Sequence, residues 1–246
     1  MSGNAQAGYY SRRLGGERLR QCYALASPRV RQYLDAEIEF VRSRLEATDD
    51  VLELGCGYGR VTLELAGSAG RVVGIDTSVE SLELARALAG EEGACDFLEM
   101  DASALAFDDS RFDAVVCVQN GVCAFGVDPV TLVSEALRVA RTGGRVLFST
   151  YASGFWANRL EWFEAQARAG LVGEIDIEAT GDGTIVCRDG LTLRALTEED
   201  WEAIGSGVGS APEIVEVDGS SVFAIWVAER RTDERGPRSS GEEIQV

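Results

Sequence analysis

The chain has 246 residues, of which 46% are hydrophobic, so it is long and apolar enough for one large folded domain, and wholesale disorder is excluded. Its 41 acidic side chains outnumber 23 basic ones and give a net charge of −18, and the sequence contains neither histidine nor lysine. This composition excludes a histidine-based catalytic triad, a histidine metal site, a lysine Schiff base and the lysine-dependent P-loop.

The negative charge also restricts the partners of the chain. The mean electrostatic field repels phosphate groups and favours small cations, so we expect no nucleic-acid partner. Coding from GC-rich DNA explains arginine in place of lysine, but it does not explain the excess of acid. A salt-rich cytoplasm would explain that excess, because a high net charge keeps a protein soluble where charges are screened. Loss of solubility in molar KCl would exclude this explanation.

The six cysteines include no C-x-x-C pair, and the chain has no histidine to complete a zinc site. We therefore expect no metal, and we expect reduced, mostly buried thiols in a cytoplasmic protein. The first residues lack the apolar stretch of a secretory signal, and no apolar run reaches the length of about 18 residues that a membrane span needs. No membrane partner is expected.

The hydrophobic pattern divides the chain into three segments. Residues 1–45 are predicted to form an N-terminal helical cap with a small polar head, and Pro28 separates two helices between residues 16 and 45. Residues 46–229 are predicted to form the main domain, which carries an aromatic insert at 151–200. Residues 230–246 are polar, charged and contain glycine and proline, which predicts disorder.

Short apolar strands alternate with helices in the first part of the main domain. Strands are predicted at 51–54, 71–75, 95–100, 114–118 and 146–150, and helices at 61–66, 80–89 and 130–140. Ser78 is the predicted N-cap of the second of these helices, and Gly143-Gly144 is the predicted turn before the fifth strand. This alternation indicates βαβ units, in which the strands lie parallel and buried.

The pattern changes after Thr150. An aromatic helix is predicted at 155–169, a hairpin around 188–190, and a short helix opened by a capping box at 197–200. Strands at 214–217 and 222–228 are predicted to close the sheet as an antiparallel pair. The predicted fold class is α/β: a doubly wound, seven-stranded, mostly parallel sheet with helices on both faces and the last strand antiparallel.

The strongest motif runs from Glu53 to Arg60, where a strand passes through a glycine-rich turn into a helix. Gly55 and Gly57 have no Cβ, so a ligand can approach the backbone, and the helix N-terminus offers free N–H groups. Arg60 stands where a dinucleotide-binding fingerprint has its third glycine. Because Glu53 would repel a pyrophosphate and attract an ammonium group, the motif disfavours a nicotinamide-dependent oxidoreductase.

Polar residues follow the next three predicted strands. Asp76 comes 21 residues after Gly55, where a carboxylate can accept hydrogen bonds from both ribose hydroxyls. Asp101 follows the third strand and can accept a hydrogen bond from an exocyclic amine. Gln119 and Asn120 follow the fourth strand, where their amides can donate and accept near a reacting centre. The carboxyl ends of parallel strands meet at one edge of the sheet, so these side chains are expected to form one site.

These motifs resemble those of class I S-adenosylmethionine-dependent methyltransferases over about residues 51–150, and most closely the small-molecule branch that includes the ubiquinone- and menaquinone-biosynthesis methyltransferases. The resemblance implies a Rossmann-like methyltransferase fold and S-adenosyl-L-methionine as the cofactor. It further implies that the glycine loop and Glu53 hold the methionine part, that Asp76 binds the ribose, and that Asp101 with the amide of Ala102 binds adenine. The complete set of expected cofactor-binding residues is Glu53, Gly55, Cys56, Gly57, Gly59, Asp76, Thr77, Asp101, Ala102 and Gln119.

The expected activity is methyl transfer to a small-molecule nucleophile. In-line transfer needs no covalent enzyme intermediate, so we expect catalysis mainly by proximity and orientation. Carboxylates, tyrosines and cysteines are the candidate bases in a chain without histidine and lysine. The candidates for the substrate pocket are Tyr10, Asn120, Tyr151 and Trp156.

Other functions remain open at the level of the sequence. A non-catalytic module that senses the cofactor or a related nucleoside would carry the same binding motifs, and so would a methyltransferase acting on a protein or peptide. A methyltransferase for metalloids would need Cys117 and Cys123 to converge at the site. The spacing of Trp156, Trp162 and Phe163 along the aromatic helix also fits simple core packing.

Overall fold

The computed structural model describes residues 8–90 and 95–229. The predicted disordered tail at 230–246 and most of the predicted polar head, residues 1–7, lie outside the described residues.

Three helices precede the sheet: α1 (Tyr9–Arg13), α2 (Gly16–Ala24) and α3 (Pro28–Arg42). Pro28 lies in the first turn of α3, and the hydroxyl oxygen of Ser27 accepts a hydrogen bond from the Val30 N–H at 3.3 Å. This confirms the predicted break at Pro28. The sequence does not predict α1, because its five residues are too few to show a helical period.

The next elements alternate as the sequence predicts. The strands are β1 (Asp50–Leu54), β2 (Arg71–Asp76), β3 (Cys95–Glu99), β4 (Phe112–Cys117) and β5 (Ala140–Tyr151). The helices between them are α4 (Arg60–Leu65), α5 (Val79–Ala89), α6 (Gly121–Ala124) and α7 (Pro129–Val139). The predicted cap of α5 is confirmed, since Ser78 Oγ accepts a hydrogen bond from the Ser81 N–H.

The region after β5 contains the predicted aromatic helix, hairpin and closing strands. A short 3₁₀ helix, Ser153–Phe155, leads into α8 (Trp156–Arg168). The following elements are β6 (Thr184–Val186), β7 (Thr192–Arg194), α9 (Glu198–Val208), β8 (Glu213–Val217) and β9 (Ser221–Val227). β6 and β7 form a separate two-stranded sheet.

The main sheet has seven strands in the order β3-β2-β1-β4-β5-β9-β8. β1 to β5 are parallel, and β9 runs antiparallel to β5, so the predicted fold class is confirmed. The strand order reverses between β1 and β4. In sheets of this type, ligands bind at the carboxyl ends of the strands beside such a reversal.

Both faces of the sheet are covered by helices, as expected for parallel strands. α7 and α9 pack on one face through buried side chains that include Leu132, Val133 and Trp201. α3 and α4 pack on the other face through side chains that include Val41 and Leu65. Because both faces are covered, the strand ends are the exposed edge at which polar residues gather.

The turn predicted at Gly143-Gly144 is wrong, because both glycines lie inside β5. The register between β4 and β5 shifts between Phe112 and Ala114, and Gly143 adopts a φ of +81°. A Cβ at Gly144 would lie 2.9 Å from the carbonyl oxygen of Asp113. Gly143 therefore supplies a left-handed backbone conformation, and Gly144 allows the close approach of β4, at an irregular point in the ladder.

The capping box at the start of α9 has the predicted form. Thr197 Oγ1 accepts a hydrogen bond from the Asp200 N–H at 3.3 Å, and Asp200 Oδ2 accepts one from the Thr197 N–H at 2.8 Å. We expect Thr197→Ala to lower the free energy of unfolding by about 1 kcal/mol, measured by urea denaturation. Ser206→Ala, near the other end of the same helix, is the control and should change it by less than about 0.5 kcal/mol. Equal losses in the two variants would contradict the role of the cap.

Candidate functional site

A cavity of about 270 Å³ opens at the carboxyl ends of β1, β2 and β3. We call it the first cavity. The loops that follow these strands form one side of it, and α1, α2 and the segment around α6 form the other. Its lining includes Tyr10, Tyr23, Gly55, Gly57, Asp76, Thr77, Met100, Asp101, Ala102, Gln119 and Phe125.

The loop between β1 and α4 exposes backbone to this cavity. Gly55 and Gly57 have φ values of +72° and +53°, in the left-handed region that favours glycine. The N–H groups of Gly55 and Cys56 donate to the carbonyl oxygen of Ile75 at 2.8 and 2.9 Å, which fixes the loop against β2. A Cβ at Gly55 would lie 2.9 Å from the ring of Phe125. A side chain there would both strain the loop and fill the cavity.

Asp76 connects the end of β2 to this loop. Its Oδ2 accepts a hydrogen bond from the Gly57 N–H at 2.9 Å, and its Oδ1 accepts one from the Ser78 N–H at 2.8 Å. Burial raises the pKa of Asp76, and the backbone N–H groups act in the opposite direction. A carboxylate oxygen accepts more than one hydrogen bond, so Asp76 can hold the loop and still bind a ligand in the cavity.

Asp101 follows β3 and lines the first cavity together with Thr77 and Met100. Its Oδ1 accepts hydrogen bonds from the N–H and the hydroxyl of Ser103, at 2.8 and 2.7 Å. Its Oδ2 receives no hydrogen bond from the described residues. The carboxylate is therefore held in place with one oxygen available to a ligand, next to the apolar side chains of Met100 and Ala102.

Glu53 lies behind the glycine loop. Its side chain is 3% exposed, and its Oε2 accepts a hydrogen bond from the hydroxyl of Thr62. Burial raises the pKa of Glu53 to about 7, while the bond from Thr62 and the charge of Arg60 act in the opposite direction. Asp76 and Asp101 thus line the first cavity together, as expected, whereas Glu53 is not among its lining residues.

Two further residues of the expected cofactor set also lie outside the lining. Cys56 is buried, and a Cβ at Gly59 would lie 2.9 Å from the ring of Phe97. Gly59 therefore allows α4 to begin close to the neighbouring side chains. Contact of Glu53, Cys56 and Gly59 with a cofactor stays a prediction.

The loop after β4 carries two consecutive residues in the left-handed region, Gln119 at φ 58° and Asn120 at φ 59°. Such strain in residues other than glycine is concentrated at functional sites. The Asn120 side chain donates to the Arg194 carbonyl at 3.0 Å and accepts from the Thr150 hydroxyl at 2.8 Å. Asn120 therefore ties the loop to β5 and β7, while Gln119 lines the first cavity.

Tyr23 fixes the side chain of Gln119. Its hydroxyl donates to Gln119 Oε1 at 2.6 Å, so the amide nitrogen points the other way. That nitrogen, Nε2, is buried and has no acceptor among the described residues. The sequence indicates Tyr23 only as an apolar position of a helix, because its contact with a loop 96 residues away depends on tertiary packing.

A buried carboxyl group supports the same loop from below. The Gln119 N–H donates to Ser149 Oγ at 2.8 Å, and the Ser149 hydroxyl donates to Glu37 Oε1 at 2.6 Å. Glu37 is 0% exposed, and its Oε2 has no partner among the described residues. Burial raises the pKa of Glu37 to about 7, against the hydrogen bond from Ser149. Sequence reading does not single out Glu37, since a glutamate in an amphipathic helix usually faces solvent.

The four candidates for the substrate pocket are divided by the structure. Tyr10 lines the first cavity, and Asn120 lines neither cavity. Tyr151 and Trp156 line a second cavity of about 850 Å³, beside the end of β5. We call this space the second cavity. Cys117 and Cys123 line neither cavity, so the structure does not bring them together at either site.

Asp189, in the turn between β6 and β7, holds helix α1 in place. The hydroxyl of Tyr9 and the guanidinium of Arg13 both donate to Asp189 Oδ2, each at 2.6 Å. These contacts position the neighbouring Tyr10 against the first cavity.

Comparison with known proteins finds one family model, described as a methyltransferase domain, which matches residues 51–144. A demethylmenaquinone methyltransferase of Lactococcus lactis is 38% identical over 102 residues, which cover 39% of this chain and 40% of that protein. A ubiquinone biosynthesis O-methyltransferase of Paracidovorax citrulli is 35% identical over 103 residues, covering 41% of this chain and 42% of that protein. The chain thus spans less than half the length of these curated relatives.

The fold is also found among solved structures. The PH0226 protein of Pyrococcus horikoshii superposes with a TM-score of 0.62 at 18% identity, covering 82% of this chain and 93% of that chain. At this identity the likeness establishes the fold alone.

Proposed function

We propose that this chain, whose residues 51–144 form a methyltransferase domain, transfers the methyl group of S-adenosyl-L-methionine to a small molecule. The observation that carries the proposal is the first cavity, where backbone at Gly55 and Gly57 and the carboxylates of Asp76 and Asp101 face one space at the strand ends. The matched domain contains all four of these residues.

The residues of the first cavity fit this cofactor. Asp76 would accept hydrogen bonds from the ribose hydroxyls, and the free oxygen of Asp101 would accept one from the amino group of adenine, with Met100 and Ala102 offering apolar contact to the ring. The backbone at Gly55 and Gly57, with the unpartnered Nε2 of Gln119, suits the polar methionine part. The sulfonium and ammonium groups also match the acidic character of the chain.

The bound cofactor supplies an electrophilic methyl carbon. The chain contributes positioning, because the tyrosines of the cavity are poor bases. Burial raises the pKa of Tyr10 and of Tyr23 well above the usual value, so both phenols stay protonated at neutral pH. A protonated phenol does not accept a proton as a base, which favours a substrate that is already nucleophilic and a rate set by proximity and alignment.

Tyr23→Phe tests the positioning of Gln119. Loss of a hydroxyl bond of this kind costs about 0.5–1.5 kcal/mol, so we expect the Kd for S-adenosylhomocysteine to rise a few-fold to about tenfold in isothermal calorimetry. Tyr58→Phe is the matched control. The centres of the Tyr58 and Tyr23 rings lie 5.7 Å apart, but Tyr58 lines neither cavity. The same Kd in both variants would show that the hydroxyl of Tyr23 does not orient the amide for the ligand.

The proposed partner is a small molecule rather than a nucleic acid, since a net charge of −18 opposes binding of phosphate backbones. The names of the relatives refer to quinone pathways, but the family match ends at residue 144, before α8 and the second cavity. The quinone substrates are therefore not carried over to this chain.

The proposed place of action is the cytoplasm, and its support is the absence of disulfides among the described cysteines. None of the described helices combines the length and the hydropathy needed to cross a membrane.

The decisive experiment combines binding with turnover. Calorimetry should detect S-adenosylmethionine binding, and incubation with methyl-labelled cofactor and a fractionated metabolite extract should label a low-molecular-weight product. Binding without a labelled product would favour a sensor of the cofactor. A labelled protein band would favour a peptide substrate, and absence of any binding would contradict the proposed function.

A further inference from the structure

The second cavity contains a buried cation that the proposed function does not use. Arg159, on α8, lines this cavity together with Tyr151 and Trp156, and its side chain is 0% exposed. Burial lowers the pKa of Arg159, but a guanidinium keeps its charge at neutral pH. A buried charge is normally paired, because removing it from water is unfavourable.

No carboxylate of the described residues pairs with this charge. NH1 of Arg159 donates to the Gly183 carbonyl at 2.7 Å, and NH2 donates to the Leu193 carbonyl at 2.9 Å. Nε is buried without an acceptor in the described part of the chain. A guanidinium has five N–H donors, so the two carbonyls leave donors available.

Aromatic rings replace part of the lost hydration. The guanidinium carbon lies 4.3 Å from the centre of the Tyr151 ring and 5.9 Å from the centre of the Trp156 ring. These contacts hold the cation against two walls of the cavity without neutralising it. The guanidinium is therefore held in place, and no described carboxylate neutralises its charge.

Some residues of the two cavities pack near one another. Tyr10, which lines the first cavity, packs in the same apolar cluster as Trp156, which lines the second. Asn120 is next to Gln119, which lines the first cavity, and its side chain donates to the carbonyl of Arg194. The two residues that follow Arg194, Ala195 and Leu196, line the second cavity. The two cavities are thereby linked through neighbouring residues, and a methyl acceptor in the second cavity would have to reach the donor across this link.

We propose that Arg159 binds the carboxylate of the methyl-accepting small molecule, whose apolar or aromatic part lies against Tyr151 and Trp156. A planar guanidinium fits a carboxylate through paired hydrogen bonds. This inference rests on the proposed function, because it names the chemical class of the substrate.

A carboxylate is favoured over a phosphate by the rest of the lining. The exposed residues Asp182, Glu198 and Glu216 also line the second cavity. They repel a doubly charged phosphate more strongly than a singly charged carboxylate. The same acids tolerate an amino group elsewhere on the substrate.

The test uses the full chain saturated with S-adenosylhomocysteine and three probes: phenylacetate, phenylacetamide and phenyl phosphate. Saturation-transfer NMR should detect phenylacetate, and it should detect the neutral amide and the phosphate at least tenfold more weakly. In Arg159→Gln the phenylacetate signal should fall at least tenfold. Arg159→Lys should recover part of it, because the charge remains while the paired hydrogen bonds are lost.

Arg168→Gln is the matched control, since Arg168 is exposed on the same helix and pairs only with Glu164 among the described residues. It should bind phenylacetate like the wild type. Calorimetry with S-adenosylhomocysteine is run on every variant. Unchanged cofactor binding in Arg159→Gln shows that the fold is intact and separates loss of the anion site from failure of the proposed function.

Three outcomes would overturn the proposal: equal signals for the acid and the amide, an unchanged phenylacetate signal in Arg159→Gln, or no phenylacetate signal in a wild-type protein that binds the cofactor. A stronger signal for phenyl phosphate would reassign the site to a phosphate. Absence of cofactor binding by the wild-type protein would instead contradict the proposed function.

Discussion

Asp76→Ala is expected to weaken the binding of S-adenosylhomocysteine by about 1–3 kcal/mol, or roughly 5- to 150-fold in Kd. The substitution removes the acceptor proposed for the ribose hydroxyls. It also removes the acceptor for the N–H groups of Gly57 and Ser78, so the glycine loop loses one of its attachments to β2, while the bonds from Gly55 and Cys56 to Ile75 remain. Isothermal calorimetry at constant salt measures the effect.

Asp96→Ala provides the control for this substitution. Asp96 lies on the neighbouring strand β3, is about half exposed and forms an ion pair with Arg71 at 2.7 Å. Its loss changes the charge of the chain by the same amount without touching the first cavity, so the Kd should stay within a factor of about two. An unchanged Kd in Asp76→Ala would contradict the ribose assignment.

Stability is expected to fall as the pH rises from about 4.5 to about 7. Burial raises the pKa of Glu37 and of Glu53 to about 7 in the folded protein, while in the unfolded chain both return to their ordinary value near 4.5. Between these values the folded state binds more protons than the unfolded state, so each group stabilises the fold below about pH 4.5 and ceases to do so above about pH 7. The loss is on the order of 3 kcal/mol per group.

Glu37→Gln isolates one of these contributions. Glutamine keeps an oxygen that accepts the hydrogen bond from Ser149, but it does not ionise. Urea denaturation at pH 4.5 and at pH 8 should show a fall in stability that is smaller in Glu37→Gln than in the wild type by on the order of 3 kcal/mol. Glu39→Gln, an exposed position of the same helix, should behave like the wild type. The same pH dependence in all three proteins would contradict the buried carboxyl as its source.

The sheet could be predicted from the sequence because its signal is local. Short apolar segments alternate along the chain with segments whose apolar residues recur at helical spacing. This alternation alone indicates parallel strands with helices covering both faces of the sheet. The same pattern predicts that Asp76 and Asp101 lie at one edge of the sheet, because parallel strands bring their carboxyl ends together. The family match at residues 51–144 covers this same region and confirms the resemblance to methyltransferases, while the cofactor roles of the individual residues stay predictions.

The remaining features depend on contacts between distant segments. Glu53 lies inside β1, where its side chain faces Thr62 of α4, and a motif shows its position in the chain but not this direction. Tyr23 and Glu37 come from helices that precede the domain, and only their packing brings them to Gln119. Arg159 is flanked in the sequence by aromatic residues of its own helix, Trp156 and Phe163. In the sequence alone, this pattern fits core packing and does not indicate a buried cation beside a cavity.

One wall of the first cavity comes from α1 and α2, while the matched domain begins only at residue 51. The first cavity is therefore assembled from a part that the family match covers and a part that lies outside it. A fragment starting at residue 46 would keep the strand ends but leave an open trough without Tyr10 or Tyr23. Substitutions within these leading helices would therefore reshape one wall of the first cavity and leave the strand ends of the sheet unchanged.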